Sequence, residues 1–306
     1  MNYPYANGTI KALEEKVLDR NKLFVLNKYE KNEFVKVLLA MNYGESGETI
    51  EELINNEHQK TKDLINSITP KKEDTDLFYL VNDAQNIKIL YKIKKYNIDK
   101  KDLLTNSGSM NSENLSEAIL DNNFDNVSKN VKKLIEKLNK VVETIDSAKL
   151  LSATIDNTIY GYALKTTSNN ILKQYLTTKI DLTNVMSMYR AQNLNWSFDE
   201  YRQMFLSHGT IKIEVFESIY SKDKSLQIKA LEPYYNEKIS KLLQKISSVD
   251  ECQIEFERLT LEIMSEHKND PFNIGPMIYY YLLKEAEAQN IRILYSLKKV
   301  DIKNLI

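Results

Sequence analysis

The stretch Val131-Lys-Lys-Leu-Ile-Glu-Lys-Leu-Asn-Lys-Val-Val-Glu-Thr-Ile-Asp-Ser-Ala-Lys-Leu150 puts apolar side chains at Val131, Leu134, Leu138, Val141, Ile145 and Ala148. That alternation of three and four residues is one face of a helix, with Lys132, Lys133, Glu136, Lys137 and Lys140 off the seam. The same spacing recurs outward in both directions. It appears at Ile10, Leu13 and Val17, then at Ile228, Leu231, Tyr235, Ile239, Leu242 and Ile246, and again at Cys252, Phe256, Leu259 and Ile263. Strand-like alternation is absent over any comparable length. With 7 glycines and 5 prolines in 306 residues, against roughly 21 and 15 at average usage, the chain lacks the turn residues of a sheet protein. The periodicity predicts an all-α fold.

Breakers mark where helices stop. Gly44 and Gly47 close the helix that holds Phe34 to Met41, and Thr49 with Glu52 forms a capping-box pattern for the next. Pro70, Ser107-Gly108-Ser109, His208-Gly209 and the loop from Asp270-Pro271 to Gly275-Pro276 punctuate the rest, with Pro276 suited to the first turn of the last long helix.

Three segments repeat. They read Asn86-Ile-Lys-Ile-Leu-Tyr91, Asn184-Val-Met-Ser-Met-Tyr189 and Asn290-Ile-Arg-Ile-Leu-Tyr295, each with Phe78, Leu176 or Leu282 eight residues before its asparagine. The asparagines stand 98 (184 − 86) and 106 (290 − 184) residues apart, a period suited to repeated domains rather than a short solenoid unit. An asparagine inside a packed helix can bridge to neighbouring backbone, or it can line a binding surface; recurrence in all three segments favours the bridge.

Charge is balanced, 42 Lys+Arg against 43 Asp+Glu, which gives no electrostatic reason to expect nucleic acid or anionic lipid as the main partner. The Lys-rich run from Lys92 to Lys101 is diluted by Asp99 and reads as a solvated helix end. Cys252 is the single cysteine and fits a reducing compartment. The opening residues do not read as a basic, apolar leader, so a signal peptide is not expected, and the longest apolar run, Met277 to Leu283, is too short to cross a bilayer. A cytoplasmic protein, or one held at a membrane by a partner, is expected. Nineteen tyrosines beside one tryptophan suit half-buried helix faces and interfaces, and equally suit an AT-rich genome.

No sequence pattern suggests catalysis. There is no phosphate-binding glycine loop, and His58, His208 and His267 are isolated from one another with no metal-ligand spacing. Carboxylate pairs such as Glu285 and Glu287, or Glu255 and Glu257, are ordinary on solvated helix faces and are weak evidence for acid–base work. Catalytic, cofactor-binding and metal-binding residues are therefore expected to be none.

The opening Tyr3-Pro-Tyr-Ala-Asn-Gly-Thr-Ile-Lys-Ala-Leu-Glu14, then Tyr43-Gly44, Asp83-Ala-Gln-Asn-Ile-Lys88 and the closing Tyr281-Leu-Leu-Lys-Glu-Ala-Glu-Ala-Gln-Asn-Ile-Arg292 together resemble the C subunit of A/V-type rotary ATPases, the counterpart of the eukaryotic V-ATPase d subunit. The second repeat departs from that pattern, reading Asp181-Leu-Thr-Asn-Val185, and the third ends at Ile306 soon after its core helix. The resemblance implies three similar helical domains, 1–110, 111–213 and 214–306, arranged with pseudo-threefold symmetry into a funnel. It implies partners too: the membrane proteolipid ring and the central-stalk subunits of D and F type, with membrane contact only through the ring and no active site or cofactor. Asn86, Tyr91, Asn184, Tyr189, Asn290 and Tyr295 are the expected repeat core. The loops at Ser107-Gly108 and His208-Gly209 read either as rim contacts or as simple helix stops. A helical scaffold for an unrelated protein partner is the competing reading, and a helical enzyme, which would need convergent acids or histidines in a pocket, the third.

Overall fold

The structure is a computed structural model. It describes the backbone of residues 2–105, 108–245, 249–297 and 300–306, and side chains over the same residues except 236–242, 245, 249–252 and 304. Ser107, Ile246 and the side chains of Ile239, Leu242 and Cys252 thus lie outside the described residues. Among the described residues, fourteen α-helices run in chain order: α1 Tyr3–Glu14, α2 Arg20–Leu26, α3 Lys31–Ala40, α4 Ile50–Ile68, α5 Lys72–Tyr96, α6 Ser112–Ser116, α7 Lys129–Val142, α8 Ala148–Thr166, α9 Asn170–Asn193, α10 Phe198–Arg202, α11 Ile213–Ile219, α12 Lys224–Lys245, α13 Val249–Ser265 and α14 Gly275–Ser296. No strand occurs among the described residues, so the all-α expectation holds.

Local chemistry starts these helices. Asn2, Asp19, Ser128, Ser147 and Asn169 each accept a backbone N–H of their helix's first turn, and Thr49 with Glu52 completes the capping box read from sequence. Pro276 sits in the first turn of α14. Two expected stripes are cut short. The Val131–Leu150 seam is two helices: α7 buries Val131, Leu134, Ile135, Leu138 and Val142 and stops there, and Ser147 caps α8. The Lys95 ammonium accounts for the break, donating to the carbonyls of Val142 and Ile145 and satisfying the helix end. At the first helix, α1 stops at Glu14, before Val17.

Helix ends carry asparagine where glycine would be the usual choice. Asn42, Asn97, Asn122 and Asn195 adopt the left-handed conformation, with φ of 58°, 50°, 55° and 54°. Asparagine tolerates it better than most residues, which explains how so many helices end with so few glycines.

The chain divides into two compact units, unit 1 of Met1–Thr75 with Leu261–Ile306, and unit 2 of Asp76–Thr260. In unit 1, Leu18, Leu23, Leu26, Phe34, Leu38, Leu53 and Ile54 close on Ala288, Ile291 and Leu294 of α14. In unit 2, α9 buries Leu172, Tyr175, Leu176, Ile180, Val185 and Met188 on several sides, and Tyr201 stacks on Tyr220 and packs tilted or edge-on against Phe198, Phe205 and Phe216. The repeat helices α5, α9 and α14 lack a single apolar stripe because they are surrounded, as buried helices are.

Candidate functional site

The three repeated asparagines are buried and make the same pair of bonds. Asn86 Nδ2 donates to the Thr105 carbonyl (2.6 Å) while its Oδ1 accepts the Thr105 N–H (3.0 Å). Asn184 does the same with Leu206, at 2.9 and 2.8 Å, and Asn290 with Ile306, at 3.0 and 2.8 Å. A carboxamide offers one donor face and one acceptor, so it pairs with a residue's backbone N–H and C=O as a neighbouring strand would. Each repeat helix thereby grips an irregular segment whose polar backbone has no helical partner.

Three residues before each asparagine, one turn back on the same face, stands a buried acid: Asp83, Asp181 or Glu287. Asp83 Oδ2 accepts from the Ser109 N–H (2.9 Å) and from the Ser109 hydroxyl. Asp181 accepts from the N–H and hydroxyl of Thr210, the N–H of Ile211 (3.1 Å) and the hydroxyl of Tyr235 (2.7 Å). Gly108 and Gly209 lie against these two carboxylates so closely that a Cβ on either would overlap a carboxylate oxygen. Glu287 Oε1 accepts the N–H of Leu18 (2.6 Å), from the far end of the chain. Acid and asparagine together form a clasp.

The third clasp carries a buried ion cluster. The Lys284 ammonium lies 2.8 Å from Glu57 of α4 and also pairs with Glu287, under the ring of Tyr43. Burial alone would lower the Lys284 pKa, but the two carboxylates outweigh it and hold it above the usual lysine value. Burial raises Glu287, and Lys284 offsets this only in part, so its net direction is up. Glu57 goes the other way: burial raises it, but Lys284 and the Gly44 N–H pull it below the usual carboxylate range. Beside the cluster is a cavity of about 720 Å³ lined by Leu13, Lys16, Met41, Tyr43, Leu64 and Tyr280 among others. Outside it, Arg292 makes a two-pronged pair with Glu51, at 3.0 and 2.7 Å.

Residues 6–304 match the family of ATP synthase (C/AC39) subunits. The chain belongs to that family. Similar proteins include the C subunits of the A-type ATP synthases of Thermococcus onnurineus, 24% identical, and Thermococcus kodakarensis, 25% identical, each alignment covering 96% of this chain and 86% of the relative. The corresponding A-type C subunit of Methanococcoides burtonii is 26% identical over 50% of this chain and 42% of its own length.

Within this C/AC39 chain, the residues singled out from sequence fall into distinct settings. The repeat tyrosines share a position but not a partner. Tyr91 donates to the Asn139 side chain (2.9 Å), Tyr295 packs edge-on to Phe34 with the Lys31 ammonium over its ring, and Tyr189 is half-buried. Gly108 and Gly209 are buried, His208 is exposed beside Gly161, and Ser107 is outside the described residues. Sequence reasoning misses the role of the preceding acids, and its expectation of a solvated face for Glu287 is wrong: Glu287 is buried, held by Lys284 and the Leu18 N–H. A signal for them exists, since the departing second repeat keeps the acid, Asp181, while changing its neighbours. The Glu57–Lys284–Glu287 cluster leaves no such trace, because Lys284 and Glu287 share α14 while Glu57 comes from α4, far away in the chain. Among the described residues, no group of three or more His, Cys, Asp or Glu could hold a metal ion, and no helix is long and apolar enough to cross a membrane.

Proposed function

We propose that this chain is the non-catalytic coupling subunit of an A/V-type rotary ATPase, joining the D- and F-type central-stalk subunits to the membrane proteolipid ring for transport of protons or sodium ions. On this reading it is a cytoplasmic protein, peripheral to the membrane through the ring alone. The observation that carries the reading is the family match over residues 6–304. The threefold recurrence of the clasp is in keeping with a repeated unit, and the division into domains 1–110, 111–213 and 214–306, with pseudo-threefold symmetry in a funnel, is proposed with the family reading. A part that transmits torque must keep its connecting segments from shearing, and the clasps fix those segments to the most buried helices.

Contacts with the partners are assigned to apolar residues exposed at equivalent helix ends. Tyr96 and Leu194 each stand ten residues after the clasp asparagine (96 − 86, 194 − 184), just before a left-handed Asn97 or Asn195, and both are exposed. Of the loop residues expected at the rim, the exposed His208 remains a candidate, whereas Gly108 and Gly209 serve by making room for Asp83 and Asp181. Affinity purification of the tagged chain from gently solubilised membranes tests the proposal. Recovery of proteolipid and central-stalk subunits with ATPase activity is the expected result. Recovery of the chain without any ATPase subunit, from cells that contain the machine, would favour a scaffold for another partner.

A further inference from the structure

We propose that the three clasps form a cycle, each repeat helix holding the approach to the next short helix, and that the third clasp is a seam at which unit 1 opens. The first two joints are alike. The residue held by asparagine and the residue held by the acid lie four apart, Thr105 and Ser109 (109 − 105), then Leu206 and Thr210 (210 − 206). Three residues after the second of these a short helix begins, α6 at Ser112 and α11 at Ile213. At the third joint the asparagine holds Ile306, but the acid holds Leu18, and α2 begins two residues later at Arg20. Leu18 therefore occupies the place of Ser109 and Thr210, and α2 the place of α6 and α11. The last repeat helix holds the start of the first segment.

Residues 306 and 18 are not neighbours in sequence, so this joint has no short covalent loop. Side chains replace it. Asn27, just past α2, pairs with Val300 in both directions, at 2.7 Å to the carbonyl and 3.2 Å from the N–H. Residues 18–27 and 300–306 are thus tied to each other and lie as one flap on α14. Leu18, Leu23, Leu26 and Leu305 belong to the same core as Ala288, Ile291 and Leu294. Lifting the flap as one body breaks the Asn290 and Glu287 holds and this apolar contact, whereas opening the second joint must also rearrange the three-residue loop 207–209, fixed at both ends. Local openings follow the weakest such unit.

Native-state amide exchange on the full chain tests the seam. Leu18 and Ile306 are expected to exchange at one common rate, faster than Leu206, Thr210 and Ile211. Asn27→Ala, which touches neither amide, should speed both Leu18 and Ile306 and leave Thr210 unchanged. A circular permutant joins residue 306 to residue 2 through a Gly/Ser linker and opens the chain between the exposed Asn122 and Asn123. It should slow exchange at both seam amides roughly tenfold or more, as tethering does through effective concentration. Unrelated rates at Leu18 and Ile306, or an Asn27→Ala effect confined to Val300, would overturn the proposal even if the permutant failed to fold.

Discussion

The clasps of unit 2 and the clasp of unit 1 share an asparagine grip but differ in the acid. Asp83 and Asp181 are short and take N–H and hydroxyl donors from a loop about thirty residues away or nearer, with a glycine making room. Glu287 is one carbon longer, reaches a backbone N–H 269 residues away in sequence, and leans on a buried lysine shared with Glu57. A nearby loop can be shaped to supply dipoles that satisfy a buried carboxylate. A segment arriving from the other end of the chain brings fewer of them, and a counter-ion supplies the rest.

Lys284→Met is the substitution expected to stress that difference most. It leaves Glu57 and Glu287 buried without their cation, a change that costs about 3–5 kcal/mol, read as a drop in the urea midpoint. The pH dependence has a definite sign. The raised Lys284 pKa contributes stability that is complete below the ordinary lysine value of 10.5 and is lost as pH rises through the folded value. The lowered Glu57 pKa contributes stability present above 4.5 and lost as pH falls through its folded value. Glu287, whose pKa is raised, works against stability once it ionises. The gap between wild type and variant should therefore be widest between those limits and narrow on both sides. A gap constant with pH would mean that Lys284 contributes packing rather than charge.

Asn184→Ala grades the clasps against one another. Leu206 is 3% exposed, so its N–H and carbonyl both lose a partner out of reach of water, at about 1–3 kcal/mol for each unsatisfied group. Thr105 is exposed, and water can replace Asn86, so Asn86→Ala should cost about half as much. Thermal unfolding of the two variants decides it, and equal losses would mean that the grip matters through the helix rather than through the held segment.

The helices are legible in the sequence because their causes are local. The capping residue Thr49, the first-turn Pro276 and the stripe from Val131 to Leu138 all act within a turn or two. The repeat asparagines are legible because recurrence at one helical position singles out a shared burden, and the bonds of Asn86, Asn184 and Asn290 show what that burden is. The end of α7 is not, because it depends on Lys95, 47 residues upstream of the carbonyl it satisfies. The flap is not legible either: Leu18 carries no sequence mark of standing where Ser109 and Thr210 stand, since it offers only a backbone N–H. What a sequence hides here is which distant backbone a recurring side chain will find.

The smallest expected effects separate space from conformation at glycine. Gly209 has no unusual φ, and its reason for being glycine is the Asp181 carboxylate pressed against it. Gly209→Ala must push aside an acid that the Thr210 and Ile211 amides and the Thr210 and Tyr235 hydroxyls hold in place, which should cost about 1–3 kcal/mol as overpacking does. Gly8 lies within α1 with nothing within 4 Å of the added Cβ. Gly8→Ala should stabilise the protein by about 0.5–1 kcal/mol, because alanine loses less backbone freedom in a helix. Paired with Asp181→Asn, the first substitution gives a sharper test. If the carboxylate is the obstacle, the two costs should fall well short of adding, because either change already loosens the same clasp. Full additivity would place the strain of Gly209→Ala against Ile180, the other side chain beside that glycine, and would leave the clasp's acid without a role in shaping the loop.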